Sequence, residues 1–301
     1  MSIQNANFFW HGSTLGFMEY VCISSFVKHG FEVRVFSYND LVLPDSVILM
    51  DASEILPFSD LSKYTQAGIS HNLAAFSDAF RYQVIKKKGG WWFDSDVICL
   101  VDSGPFSAII DKKSIKISLG YESPVLINGA VLYIDNHIVL QKILDELESV
   151  GTEFEWGDIG PKLITRVINN LQLTHLVDPS FYYYAIYEDY QRLYDPKCLK
   201  WCQEMVGKSF ALHLWNDLMR RYKIPKNIMP PAGSFLHKIF LDVCPQFASE
   251  PTLEYETIKV LFDYYNQKGN YDRLLNIEKS LKENFIISGL LKFRKILKQS
   301  F

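Results

Sequence analysis

At 301 residues, 48% of them hydrophobic and 15% aromatic, the chain is long enough to bury one large or two modest cores rich in aromatic packing. A net charge of −3 lacks the dominant basic surface of a general nucleic-acid binder, so no nucleic-acid partner is expected. No apolar run reaches the roughly 18 residues of a membrane span and the N-terminus, Met-Ser-Ile-Gln-Asn, has no signal-peptide core, so a cytoplasmic location is expected.

Asn7 to Trp10 reads as a first strand, followed by the loop His11 to Gly16 and a helix through Ser25. Glu32 to Ser37 and Val47 to Met50 read as further strands. This strand-helix-strand rhythm predicts an α/β fold with a mostly parallel sheet and binding loops at the carboxyl ends of its strands. The loop at Trp10 to Ser13 is then a candidate nucleotide cradle. Ser70 to Lys88 reads as a helix whose apolar stripe is Leu73, Phe76, Phe80 and Val84, with Asp78 and Arg81 off the stripe and three apart. Gly89-Gly90 ends it, permitting a left-handed turn and a close backbone approach. Trp91 to Phe93 reads as a buried strand that delivers Asp94 and Asp96. In extended backbone alternate side chains share a face, so both carboxylates are expected to point the same way. Oxygen ligands of this kind suit Mg²⁺ or Mn²⁺, and two acids are too few for an all-protein cage, so a substrate diphosphate is expected to complete the shell.

Val97 to Val101 leads away from the acids, and Ser114 to Leu119 and Leu126 to Ile134 read as strands. Asn128-Gly129 interrupts the last of these, either as a close approach by a ligand or as a hairpin turn. His137 to Val150 is helical by periodicity. Gly151 to Gly160 is a polar loop with Glu153, Glu155, Trp156 and Asp158, read either as a solvated acidic loop or as a substrate contact through Asp158. Gly160-Pro161 opens a helix with the stripe Leu163, Val167, Ile168 and Leu171. The aromatic block Phe181 to Tyr184 with Tyr187 reads either as core or as faces for stacking on sugar rings. Ser209 to Asn216 reads as a late strand ending in His213-x-Trp215-Asn216, and an imidazole commonly fills a coordination place left by two carboxylates and a diphosphate. Cys22, Cys99, Cys198, Cys202 and Cys244 show no zinc-site spacing and read as packing thiols. From about Ser249 the pattern turns helical: Leu253 to Gln267 and Tyr271 to Lys282 read as a helical hairpin. Residues 285–298, with Lys292, Arg294, Lys295 and Lys298, form a basic amphipathic segment for packing onto the catalytic domain or a second subunit, or for peripheral membrane contact. The domains expected are 1–245 and a helical extension, 246–301.

The pattern Ser77-Asp78-x-x-Arg81 followed by Gly89-Gly90-x-x-x-Asp94-x-Asp96 closely resembles the glycosyltransferases with the DXD sugar-binding region. These are the family 32-like enzymes of capsule and lipopolysaccharide synthesis, the yeast-type initiating mannosyltransferases and, more distantly, the clostridial glucosylating toxins. The resemblance implies a GT-A-like, Rossmann-type nucleotide-sugar-binding domain. It further implies metal-dependent transfer, with retention, from a nucleotide-diphosphate sugar (UDP-sugar favoured, GDP-sugar second) to a saccharide or lipid-linked saccharide in bacterial surface polysaccharide synthesis. By the same resemblance Trp10, His11 and Gly12 lie against the nucleotide, and Gly90 belongs to the donor site. Asp96 holds Mn²⁺ or Mg²⁺, with His213 as third ligand or phosphate contact and Asp94 on the ribose or the metal's water shell. Asp78 and Arg81 hold sugar hydroxyls, Asn128 lies near sugar or acceptor, Asp158 lies near the acceptor pocket, Trp215 serves as a lid and Asn216 joins the donor site. The small or serine-rich stretch usual after the histidine motif is replaced here by Asp217-Leu-Met-Arg-Arg221, which leaves the division of labour among His213, Trp215 and Asn216 open. Two other classes stand beside this one: an aspartate-nucleophile phosphatase, in which Asp94 would attack and Ile98 would occupy a threonine's place, and a non-catalytic partner of another transferase.

Overall fold

The computed structural model describes residues 4–66, 72–151 and 153–269. The predicted 271–282 helix and the basic segment 285–298 lie outside the described residues, as does Ser70. In chain order the elements are β1 (Gln4–Phe9), α1 (Phe17–Lys28), β2 (Phe31–Ser37), β3 (Val47–Asp51), β4 (Thr65–Gln66), α2 (Leu73–Lys88), β5 (Trp91–Phe93), β6 (Val97–Cys99) and α3 (Ser103–Asp111). There follow β7 (Ile117–Ser123), β8 (Leu126–Ile134), α4 (His137–Ser149), β9 (Glu153–Phe154), α5 (Pro161–Asn170), α6 (Leu199–Met205), β10 (Ala211–His213), α7 (Asn216–Arg221) and α8 (Phe235–Val243), with 255–269 helical again.

The central sheet runs β3-β2-β1-β5-β8-β7. Its first three pairings are parallel, and β5-β8 and β8-β7 are antiparallel. This is the expected mostly parallel α/β arrangement, and it gathers the ends of β1 and β5 at one edge of the sheet. Two apolar layers fill the two faces. On one, Phe80 of α2 stacks on Phe9 at 4.4 Å; of the predicted stripe Phe76, Phe80 and Val84 have no exposed surface, while Leu73 at the helix start is only partly buried. Each such side chain contributes about 1.5–3 kcal/mol of burial. On the other face Phe8, Phe26, Phe93 and Phe106 interlock with Trp91.

α2 is capped by Asn72, its side-chain oxygen accepting from the N–H groups of Ala74 and Ala75. At its other end Gly89 and Gly90 take φ of +63° and +80°. The buried Asn7 of β1 donates to the carbonyls of Gly89 and Trp91, both at 2.9 Å, which stitches this turn to the sheet. Gly90 is therefore a packing residue: a Cβ there would meet Asn5 Cβ at 2.9 Å and its carbonyl oxygen at 3.0 Å.

Asn128-Gly129 lies within β8, and the β7-β8 turn is Pro124-Val125, so the hairpin reading of Asn-Gly is overturned. All five cysteines are free thiols and four are buried, as expected of packing residues. Tyr183 and Tyr184 are buried, whereas Phe181 and Tyr187 of the same aromatic block are exposed. The 255–269 helix buries Ile258 and Phe262, the latter against Tyr194 and Tyr222, so the start of the C-terminal segment packs on the main body. Among the described residues no helix is long and apolar enough to cross a membrane.

Gly90→Ala combines a disfavoured φ with overpacking against Asn5 and should lower unfolding stability by about 1–3 kcal/mol. An unchanged midpoint in denaturant titration would show that the Gly-Gly turn is not under this constraint.

Candidate active site

The cleft at the ends of β1 and β5 encloses about 670 Å³. Its floor is built around Arg81. Lying off the apolar stripe of α2, Arg81 turns its guanidinium inward, where Nη1 meets Asp78 at 2.9 Å and Nη2 meets Asp94 Oδ1 at 2.9 Å and Oδ2 at 3.2 Å. The helical i, i+3 spacing supplies the first contact and the Gly-Gly turn, which folds β5 back beside α2, supplies the second. Only 6% of the Arg81 side chain is exposed. The guanidinium packs against Gly129, where any Cβ would collide with Nη1, and the Asp78 carboxylate packs likewise against Gly160. The glycine inside β8 thus marks a close approach by an arginine of this chain.

Asp94 and Asp96 do not share an extended face. The N–H of Val97 donates to the Asp94 carbonyl at 3.0 Å, so residues 94–97 form a turn between β5 and β6. The turn still converges the two carboxylates, because each is held separately. Asp94 Oδ1 also accepts from the Trp92 indole at 2.7 Å. Asp96 is held by the end of β10, which pairs antiparallel with β6: the N–H of Leu214 reaches the Asp96 carbonyl at 2.8 Å, the N–H of Asn216 reaches Oδ2 at 2.7 Å, and His213 Nε2 lies 3.3 Å from Oδ2.

Donor atoms of Asp94, Asp96 and His213 all lie within 4.8 Å of one another. This set suits a hard divalent ion with one nitrogen and two oxygen ligands. The remaining His213 nitrogen, Nδ1, is buried without a hydrogen-bond partner, so Nε2 is the nitrogen turned to the acids. Burial would push the pKa of Asp96 up, but His213 and the Asn216 N–H outweigh it and pull the carboxyl down to about 2. Burial would lower His213, and Asp96 with Asp94 raises it above its ordinary value. Burial raises Asp94 despite Arg81. Asp78 is pushed up to about 6 by burial, with Arg81 opposing and Asp94 adding to the rise. The carboxylates are thus held against a permanent cation, Arg81, on one side and the His213 ring on the other.

The cleft brings together Trp10, His11, Asp78, Arg81, Asp94, Asp96, Asn128, His213, Trp215 and Asn216. Gly12, Gly90 and Asp158 are not among its lining residues. Gly12 sits behind Trp10, whose indole nitrogen a Cβ at residue 12 would meet at 3.1 Å. Asp158 is turned into its own loop, accepting from the Glu155 N–H at 2.8 Å and pairing with Lys162 at 3.2 Å. Trp215 is a fixed wall rather than a lid: it is 8% exposed, donates to the Ile186 carbonyl at 2.8 Å and packs on His213 at 4.1 Å. His11 stacks on Phe58 at 4.9 Å with 19° between the ring planes. Lining residues to which the sequence assigns no place in the site include Glu122, Trp156, Arg220, Arg221 and Tyr187. Glu122 accepts from Asn128 Nδ2 at 2.6 Å, a pairing that the β7-β8 register alone would have exposed.

Residues 23–115 match the family model described as the glycosyltransferase sugar-binding region containing DXD motif, and residues 134–250 match the alpha 1,4-glycosyltransferase conserved region. Over these two stretches the chain is similar to glycosyltransferases with a DXD sugar-binding region. Similar proteins include lactosylceramide 4-alpha-galactosyltransferase of Mus musculus, 24% identical over 159 residues, which are 48% of this chain and 42% of that protein. Alpha-1,4-N-acetylglucosaminyltransferase of Homo sapiens is 24% identical over 226 residues, 67% of this chain and 61% of its own length. The match thus spans less than half of the galactosyltransferase. Among solved structures, the glycosyltransferase GlyE of Streptococcus pneumoniae aligns over 89% of this chain and 64% of its own at 13% identity, with a TM-score of 0.44.

Folded Asp78 holds its proton more tightly than an unfolded aspartate, so the stability this adds is complete below about pH 4 and is lost as pH rises through about 6. In chelator-treated protein, the unfolding free energy of wild type relative to Asp78→Asn should fall between about pH 4 and 6 and flatten above. A difference independent of pH would place Asp78 in a solvated environment.

Proposed function

We propose that the chain transfers a hexosyl or N-acetylhexosaminyl group from a nucleotide-diphosphate sugar to a hydroxyl of a saccharide or lipid-linked saccharide. The observation that carries this is the convergence of Asp94, Asp96 and His213 on one point of a cleft whose floor is a buried Asp78-Arg81-Asp94 bridge. The donor set suits Mn²⁺ or Mg²⁺, which Asp94, Asp96 and His213 would hold. When bound, the ion supplies Lewis-acid neutralisation of the leaving diphosphate.

The chain's own residues supply the positioning. Trp10 and His11, at the end of β1, offer aromatic faces to the nucleoside. Arg81 fixes the rotamer of Asp94, so the acid cannot swing away from Asp96. Asp78, with a carboxyl that exchanges its proton near pH 6, faces the sugar hydroxyls beside Asn128. The pair Asn128 and Glu122 offers an amide and a carboxylate to the sugar or to the incoming hydroxyl. Such pre-set contacts lower the barrier by orientation before any charge develops.

A UDP-sugar is the favoured donor and a GDP-sugar the second. The relatives' names specify an alpha linkage, which from an α-linked donor is retention of configuration. We place the reaction in the building of surface glycans, with residues 1–245 as the transfer unit, 246–301 as its helical extension and a cytoplasmic setting with peripheral membrane contact through 285–298. The phosphatase reading is disfavoured by Asp94 itself: Arg81 donates to both its oxygens and Trp92 to one, which withdraws charge from the carboxylate that would have to attack while leaving Oδ2 a lone pair for a cation.

Purified chain with Mn²⁺ should release nucleotide from one member of a panel of UDP- and GDP-sugars, and EDTA should abolish the release. Asp96→Asn, with an unchanged circular dichroism spectrum, should lower the rate at least about a hundredfold, the equivalent of losing a few kcal/mol of charge stabilisation. Near-wild-type turnover in that variant would refute the assignment of Asp96.

A further inference from the structure

Trp156 is 61% exposed, an unusual position for the largest apolar side chain, and it lines the cleft. Its loop is nevertheless anchored on both sides. On one side β9 pairs in parallel with β4, joining the approach to α5 to the approach to α2. Phe154 and Ile159, flanking Trp156, are buried against Ala75 and Ala79 of α2, and the Ile159 carbonyl accepts from the Tyr82 hydroxyl at 3.0 Å. Within the loop, Asp158 binds the Glu155 N–H and Lys162, and the Lys162 N–H donates to the Gly157 carbonyl at 2.9 Å. Gly157, at φ +81°, makes the turn that these bonds close. The indole is thus presented by a rigid frame, and its exposure is built in.

The topology also says which side of the cleft it serves. Along the sheet the order β1-β5-β8 puts Trp10 and His11 on one flank of the acid cluster and Asn128 and Gly129 on the other. α5, which Trp156 precedes, packs over β8: Thr165 accepts from the Ile127 N–H at 2.9 Å, and a Cβ on Gly129 would meet Ile164 Cδ1 at 3.3 Å. Trp156 therefore belongs to the flank across the acids from the β1 loop.

We propose that Trp156 is the stacking platform for a neutral pyranose of the acceptor. The C–H face of a pyranose covers apolar aromatic surface while its hydroxyls stay in reach of polar groups, and a preset indole does this at little entropic cost. This rests on the transferase reading, with the β1 loop as the nucleotide side. The role of Asp158 follows: it positions the turn that carries Trp156 and does not itself touch the acceptor.

The test uses the full chain with Mn²⁺, the donor it hydrolyses, and octyl β-lactoside, octyl β-galactoside and octyl β-glucoside as acceptor probes. Trp156→Ala should raise the KM for the elongated glycoside about tenfold or more while the KM for donor stays within about twofold, and Trp156→Phe should recover part of the loss. Ile138→Ala, an exposed apolar residue on α4, should match wild type in both. An unchanged acceptor KM in Trp156→Ala, or a donor KM that rises equally, overturns the platform. Donor hydrolysis with no elongation of any of the glycosides overturns the neutral pyranose as its occupant. A wild-type chain that hydrolyses no donor refutes the transferase reading beneath it.

Discussion

The buried guanidinium of Arg81 is the constraint on which the site depends. Two carboxylates, Asp78 and Asp94, face each other across it in a place where either alone would be driven to protonate. Taking three charges out of water is costly, and the arrangement persists because each end of the fork meets a carboxylate at hydrogen-bond distance. Several otherwise unrelated features serve it. Gly129 and Gly160 leave room for the guanidinium and the Asp78 carboxylate, and Trp92 lies beneath Arg81, 5.7 Å from its ring centroid. The Gly89-Gly90 turn returns the chain so that Asp94 faces the helix it has just left.

Against this fixed half stands a second, assembled from the far end of the chain. β10 pairs with β6 outside the main sheet, and this small ladder alone brings His213 onto Asp96. Asp96 is held ionised by His213 and the Asn216 N–H, while Asp94 is held in place by Arg81. The two acids of the motif thus have different environments and different work: one is a strongly acidic donor against an imidazole, the other a carboxylate clamped by a permanent cation.

How much of this is legible in the sequence follows from which forces are local. The apolar stripe of α2, the i, i+3 relation of Asp78 to Arg81 and the Gly-Gly stop are nearest-neighbour effects, and the structure keeps them. The one-residue spacing of Asp94 and Asp96 predicts an extended β5-β6 corner. The structure makes it a turn, which no alternation pattern signals. Asn128-Gly129 resembles a hairpin turn locally, but its strand position is dictated by tertiary pairing with β5 and by the space Arg81 needs. Asp158 looked exposed and acidic in a polar loop, and its hydrogen bonds to that same loop became visible only in three dimensions. Trp156, one residue before that turn's glycine, is the legible signal in this loop: a tryptophan among polar residues.

The central claim is that Asp94, Asp96 and His213 form one cation site, kept in register by Arg81 on one side and by β10 on the other. Titration of Mn²⁺ in the presence of UDP, followed by the electron paramagnetic resonance signal of the free ion, tests it without recourse to turnover. The account predicts saturable binding to the wild-type chain, weakened at least about tenfold in both Asp96→Asn and His213→Gln. Equal affinity in all three proteins would contradict it.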